Sequence, residues 1–282
     1  LKYLNIKPNG IYIDCTFGAG GHSAKIADNI SSEGFLLATD WDASSQRNAN
    51  GRFAGMKNFQ FECGNFADVS SIAEKCGLRG VDGIVFDLGF SSEQTEDLKR
   101  GFSFRNDAPL DMRYNAFNPI TAETVVNEYP EEYLSSILSD YAQEQFHRRI
   151  ARSICYKRKD MRIVTTLQLS EIIKNATPGW YHHRKIHYAT KTFQAVRMAV
   201  NHEIDNISKA IVSAIDLLSS GGRLAVISFH SVEHRMVKKI FAEARKKSQV
   251  KEAVKNRIFP SMEEINLNPR ARSAQLRVVE KI

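Results

Sequence analysis

Over roughly its first ninety residues the chain alternates short apolar runs with mixed stretches, a pattern that predicts strands joined by helices. Ile11, Tyr12 and Ile13 form a β-favouring run ending at Asp14, and Ser23–Ile30 has helical character. Phe35–Asp40 (FLLATD) is a second buried strand, Phe59–Cys63 (FQFEC) alternates as a short third and Val81–Leu88 (VDGIVFDL) is a fourth, with a helix expected over Ala43–Ala54. Strands and helices alternating in this way predict a doubly wound α/β sheet. The pattern then changes. Ser91–Arg113 is polar, turn-rich and too long for an ordinary connection, so it is expected to be a functional loop. Helices follow over Thr121–Tyr129, Glu131–Ser139, Gln143–Lys157 and Leu167–Ala176, punctuated by Pro119, Pro130 and Pro178. Sheet grammar returns with a long helix over Thr192–Leu218, a fifth strand over Arg223–Phe229, a helix from about Val232 and a last strand over Ala274–Lys281. Lys246–Asn268 is polar and charged, with no assigned element. The expected division is one α/β domain in two parts, residues 1–112 and 190–282, carrying an all-helical insertion over 113–189.

Composition narrows this only in places. The 282 residues are ample for a substantial core. No apolar run reaches the ~18–20 residues of a membrane helix, so no membrane association is expected. Cys15, Cys63, Cys76 and Cys155 lie far apart with no CxxC pair, which argues against a zinc ribbon and a disulfide framework and favours a reducing compartment. The chain opens at Leu1 without Met, and a missing N-terminal stretch is expected on that ground. Charge adds more. The net charge of +7 is concentrated: Arg148–Arg162 holds seven basic residues and one acid, and Arg235–Arg257 holds nine and two. Such clusters suit a polyanion such as nucleic acid, or are solvated helix faces.

The candidate chemistry gathers at the first strand's end. Gly18, Gly20 and Gly21 permit positive φ and close backbone approach, and the helix after them offers free N–H groups and a positive dipole end. This is the layout of a nucleotide-type cofactor site, or a tight turn with no ligand. Asp40, twenty residues past Gly20, stands where a βαβ unit brings a carboxylate to ribose hydroxyls, with Asp42 as its competitor. Phe66 either lies against an adenine ring or staples the next helix. Position 23 is Ser where a dinucleotide fingerprint has its third Gly, and no GK[ST] follows, so spacing favours S-adenosylmethionine over a dinucleotide and excludes a P-loop. His182, His183 and His187 have no Cys or acid to complete a metal site, and no metal is expected.

The stretches DCTFGAGGH, FDLGFSS, RGFSFRNDAPLDMR, ATKTFQAVRMAVNHE, GGRLAVISFHSVEHR and NPRARSAQLR span nearly the whole chain. Through them the sequence resembles the RsmH/MraW family of S-adenosylmethionine-dependent rRNA methyltransferases, which modify the N4 amine of a cytidine in the small-subunit decoding centre. The resemblance implies a class I, Rossmann-like methyltransferase fold with a helical insertion. By position it implies cofactor contacts at Gly20, Gly21, His22, Asp40, Phe66, Asp87 and Gln94. The sequence departs from the family at Cys15, Tyr188, Lys191 and His234, where Gly, Pro, Arg and Asp are usual. Lys191 is shared with mitochondrial members, so a mitochondrial matrix location stands beside the cytoplasmic one.

Cytosine N4 is a poor nucleophile, so a site for it must accept a hydrogen bond from the amine and hold it beside the methyl donor. Asp87 and the backbone carbonyls at Leu88–Gly89 are the expected acceptors, in Asp87-Leu88-Gly89-Phe90 where many amino-methyltransferases carry an acid-Pro-Pro-aromatic motif. Ser228 and His230 reach the same sheet edge and are expected to line the base pocket, His230 having a structural role as its alternative. Arg148, Arg149, Arg152, Lys157 and Arg158, on one predicted helix, are the expected rRNA phosphate contacts. The partner expected is small-subunit rRNA in a pre-ribosomal or assembled subunit, with a homodimer as the assembly entertained. A non-catalytic RNA-binding assembly factor that keeps the fold is the alternative function.

Overall fold

A computed structural model describes residues 2–89 and 98–282. It divides into two compact units, one of Leu1–Gly89 with Ile204–Ile282 and one of Phe90–Glu203.

The first unit begins with β1 (Ile11–Asp14), α1 (Gly21–Ala27), β2 (Phe35–Asp40), α2 (Ser45–Arg52), β3 (Phe59–Cys63), α3 (Val69–Lys75) and β4 (Val81–Asp87). The helical unit carries α4 (Ala122–Glu128), α5 (Glu131–Ala142), α6 (His147–Asp160), α7 (Thr166–Ala176), the single turn α8 (Gly179–His182) and α9 (Thr190–Val200). The chain then returns through α10 (Glu203–Leu217), β5 (Leu218–Ser228), α11 (Ser231–Lys246), β6 (Val250–Glu252), α12 (Met262–Leu267) and β7 (Gln275–Lys281).

All seven strands form one sheet in the order β3-β2-β1-β4-β5-β7-β6. The first five pair in parallel, and β7 runs antiparallel to both β5 and β6. Parallel strands covered on both faces are apolar on both, and the alternation is direct here. Ile13, Leu37, Ile84 and Phe86 pack with Ile207, Ile211 and Ile215 of α10 and with Val237 and Phe241 of α11. Their neighbours Tyr12, Leu36 and Val85 face the other way, onto Ile26 of α1 and Phe53 beyond α2. The order reverses at β1, between β2 and β4, which is where open α/β sheets leave a crevice beyond the strand ends.

The helical unit is held by a separate core. Leu134, Ile137 and Leu138 of α5, Ile150 and Ile154 of α6, Leu169 and Ile173 of α7, and Phe193 and Val196 of α9 form it. Capping boxes at Thr121/Thr124 and Thr165/Gln168 open α4 and α7 by satisfying N–H groups the helices leave free.

Three expectations differ from this fold. Thr192–Leu218 is two helices, because Asn201 and His202 break it: His202 takes φ 50°, and the Asn201 side chain donates to the Met112 carbonyl (2.8 Å) and accepts from the Tyr114 N–H (2.8 Å). Residues 98–113, expected as part of a loop, belong to the helical unit. Leu110 and Met112 are buried there, and the Leu110 N–H donates to the Val164 carbonyl at 2.9 Å. The compact units therefore part at 89/90 and 203/204 where residues 112/113 and 189/190 were expected, since α9 and the 98–113 segment share the helical core. Lastly, the polar stretch Lys246–Asn268 contains β6 and α12.

Candidate active site

The turn after β1 is fastened from both sides. Its Cys15 N–H donates to the Val85 carbonyl of β4 (3.0 Å) and its Phe17 N–H to the Thr39 carbonyl of β2 (3.1 Å). Phe17 is buried against Phe53 and Phe61, with ring centroids 5.8 and 5.3 Å away, and so anchors the turn. Gly20 closes it as the residue capping α1, at φ 76°, where a Cβ would stand 2.7 Å from the Phe17 ring. Only glycine meets both demands. At Gly21 the situation is the opposite, with no heavy atom of the described residues within 4 Å of where a Cβ would be. The backbone at the head of α1 is therefore bare on that side, a place where a ligand atom can approach the main chain.

Three carboxylates converge on this turn from the ends of β1, β2 and β4. Asp14 is fully buried, accepting from the Ser23 hydroxyl (2.6 Å) and the Thr16 N–H (3.1 Å), and burial raises its pKa. Asp40 accepts from the Gly18 N–H (2.7 Å) and the Asp42 N–H (2.9 Å). Burial outweighs those two hydrogen bonds and raises its pKa to about 6. Asp42, its competitor in the sequence, turns to the start of α2 and accepts from the Ser44 N–H (3.0 Å) and hydroxyl (2.8 Å). Asn48 and Arg52 complete the frame by donating to the Gly18 and Ala19 carbonyls.

Asp87 closes the group. Its N–H donates to the Thr16 hydroxyl (2.7 Å), tying β4 to the glycine turn. Burial raises its pKa to about 6, opposed by His22 and assisted by the charge of Asp14. The Nδ1 of His22, in the first turn of α1, stands 3.8 Å from Asp87 Oδ2. Asp87 Oδ1 is buried with no hydrogen-bond partner among the described residues. A buried acceptor left unmatched is costly and rare, and this one belongs to the carboxylate whose other oxygen faces His22 at the head of α1.

Of the other expected cofactor contacts, Phe66 starts a short 3₁₀ turn before α3 and meets Phe86 edge-to-face at 5.9 Å, half-buried. Gln94 lies outside the described residues. Asp14 is the residue that sequence reasoning missed. An acid closing a strand and followed by glycines was its only signal, and its hydrogen bond to Ser23 shows it positioning α1 rather than facing outward.

The structure separates the expected RNA contacts. Ser228 is buried, its hydroxyl 2.7 Å from His234 Nδ1, and His230 caps α11 in a reciprocal pairing with Glu233. Both have partners inside their own unit. Arg158 also turns inward: its guanidinium donates to the Val126 (2.9 Å) and Tyr129 (2.7 Å) carbonyls and closes the end of α4. Arg148, Arg149, Arg152 and Lys157 are exposed. The 3.6-residue period sets Arg148, Arg149, Arg152 and Lys159 around the exposed Tyr156, opposite the buried Ile150, Ala151 and Ile154. Tyr156 and Lys159 belong to this basic face and were not among the expected contacts. Of the histidine trio, His182 lies 2.9 Å from the Thr177 hydroxyl and His187 stacks on Phe104, and both rings meet Tyr188, at 5.0 and 4.0 Å.

The sheet order, the reversed β7 and the glycine turn bounded by acids on β2 and β4 define a class I, Rossmann-like methyltransferase fold. The chain belongs to the MraW methylase family, whose model matches residues 1–282. It is 43% identical to the ribosomal RNA small subunit methyltransferase H of Brevibacillus brevis over 295 aligned positions, covering 99% of this chain and 94% of that protein. The protein of the same name from Clostridium botulinum is also 43% identical, over 294 positions and 95% of its length. Among solved structures, an rRNA methylase from Streptococcus thermophilus aligns with 100% of this chain and 93% of its own, at 11% identity and a TM-score of 0.47.

Proposed function

We propose that this chain methylates the exocyclic N4 of a cytidine in small-subunit rRNA, at the decoding centre, using S-adenosylmethionine. The observation that carries the reading is the buried Asp87 Oδ1, without a hydrogen-bond partner among the described residues, on a carboxylate 3.8 Å from His22 at the reversal point of the sheet. The family membership and the relatives' names support the rRNA substrate; the N4 position rests on the motifs that carry the resemblance.

S-adenosylmethionine supplies an electrophilic methyl group on a sulfonium centre. Gly20, Gly21 and His22 present the head of α1 to it, and Asp40 accepts hydrogen bonds from ribose hydroxyls. Phe66, on the turn after β3, offers an apolar face to the adenine. Gln94 completes the set implied by the resemblance. Asp87 accepts a hydrogen bond from the target amine, drawing its lone pair out of conjugation with the ring and fixing its approach. With a pKa near 6, the Asp87 carboxyl is ionised at neutral pH and also basic enough to take the proton the methylated amine sheds. Arg148, Arg149, Arg152 and Lys157 hold backbone phosphates of the rRNA, in a pre-ribosomal or assembled subunit.

Two measurements test this. Calorimetric titration with S-adenosylmethionine should show binding that Asp40→Ala weakens by about 1–3 kcal/mol. Mass-spectrometric mapping of small-subunit rRNA treated with the protein should place one new methyl on a cytidine N4, absent with Asp87→Ala. Binding of the donor with methylation at another atom would overturn the N4 reading. Failure to bind it would favour the non-catalytic assembly factor.

A further inference from the structure

The second basic cluster of the sequence, Arg235–Arg257, takes no part in the glycine-turn site. In the fold it wraps a cavity of about 370 Å³ between α11, the segment after β6, and β7. Lys238 and Arg245 line it from α11, Lys255 and Arg257 from the segment, and Arg277 from β7. β7 stands three places from β1 in the sheet order, so this cavity is separate from the acids around Gly20.

Its charge is unbalanced. Glu252 is the one acid among the described lining residues, and it is already paired with Arg245. Arg257 rests over the Phe259 ring at 4.9 Å and donates weakly to the neutral Gln275 side chain at 3.5 Å, neither of which cancels a charge. Arg277 carries the strongest sign of a missing partner, because its Nε is buried with no hydrogen-bond acceptor among the described residues. Burial first, and then the charge of Arg257, lower its pKa, the direction expected of a cation enclosed with other cations. A strand residue facing outward has no need of this arrangement, since turning into solvent would relieve both the repulsion and the desolvation. Arginine forks and lysine ammonium groups around a small concave space match the tetrahedral oxygens of a phosphoryl group.

We propose that this cavity binds a phosphoryl-bearing anion, with the half-buried Arg277 as its anchor through the buried Nε and Arg257, Lys255 and Lys238 as its rim. The phosphoryl group belongs either to an RNA backbone or to a small free polyphosphate, and the two sources separate experimentally. The proposal is independent of methyl transfer.

The full chain is titrated with inorganic pyrophosphate by calorimetry, and with a short labelled single-stranded RNA by fluorescence anisotropy across a salt series. Arg277→Gln and the rim pair Lys255→Gln/Arg257→Gln are compared with the wild type, their folding checked by thermal melting. Pyrophosphate affinity should fall about tenfold or more in both variants. If the RNA backbone is the source, RNA affinity also falls, the salt slope shrinks by about one contact, and pyrophosphate competes with RNA. If a free polyphosphate is the source, RNA affinity stays at the wild-type value while pyrophosphate affinity is lost. The rim pair lies outside the sheet, so it keeps the test valid should Arg277→Gln fold poorly. Equal affinities for both probes in the wild type and the folded variants would overturn the proposal and leave the cluster a solvated surface.

Discussion

Asp40→Asn is the sharpest test of how the site is built. The amide keeps the shape of the carboxyl and removes its titration. In the wild type, burial raises the Asp40 pKa from 3.8 to about 6, despite hydrogen bonds from the Gly18 and Asp42 N–H groups. A carboxyl with a folded pKa above its unfolded one binds its proton more tightly when folded. Its contribution to stability is therefore full below about pH 4 and is lost as pH rises through about 6. For a shift of this size, the wild type should lose about 2 kcal/mol from Asp40 between about pH 4.5 and pH 7.5. The variant should lack that component, whatever the other groups add in common. Urea denaturation of both proteins at the two pH values measures the difference of differences. The ionised form is also the one able to accept from two hydroxyls, so wild-type affinity for S-adenosylmethionine should drop as pH falls below about 6, and that of the variant, which keeps only the titration of Asp87, should drop less. Parallel stability curves within about 0.5 kcal/mol would show that Asp40 is solvated in the folded protein, refuting the argument from burial.

Other outcomes follow from the same geometry. Gly20→Ala forces a Cβ to 2.7 Å from the Phe17 ring at φ 76° and should cost about 1–3 kcal/mol in chemical denaturation. Gly21→Ala meets none of the described residues and should leave stability within about 0.5 kcal/mol, yet weaken S-adenosylmethionine binding about tenfold by filling the approach to α1. Arg158→Ala should destabilise the protein by about 1.5–3 kcal/mol in thermal unfolding, since it strands two carbonyls at the end of α4. Charge reversal at the exposed Arg148 and Arg152 should instead leave melting unchanged and flatten the salt dependence of RNA binding. Glu203→Ala should cost about 3–5 kcal/mol in denaturant titration, because it leaves the buried Arg197 guanidinium without its two-point partner at 2.8 and 3.0 Å.

Local pattern alone determined a good deal of this protein. β1, β2 and β4 are short apolar runs closed by an acid, and burial on both sheet faces makes such runs unmistakable, so their ends and the acids Asp40 and Asp87 were legible without a structure, while the half-buried edge strand β3 showed as alternation. The glycine turn was legible too, because a positive φ beside the Phe17 ring tolerates nothing else. What the sequence does not carry is the identity of a polar side chain's partner when that partner is distant in the chain. Periodicity runs unbroken through Val196, Val200, Ile204 and Ile207, and only the bonds of Asn201 to Met112 and Tyr114 split that helix in two. Arg158 reads like its neighbours on α6 until the carbonyls of Val126 and Tyr129 turn it inward. Asp42 competed with Asp40 in the sequence, and only the bonds from Ser44 show it turned to the start of α2. Backbone preference and apolar burial act over a few residues and are written locally, whereas hydrogen bonding and desolvation depend on which atoms folding brings within about 3 Å, and that is settled in three dimensions.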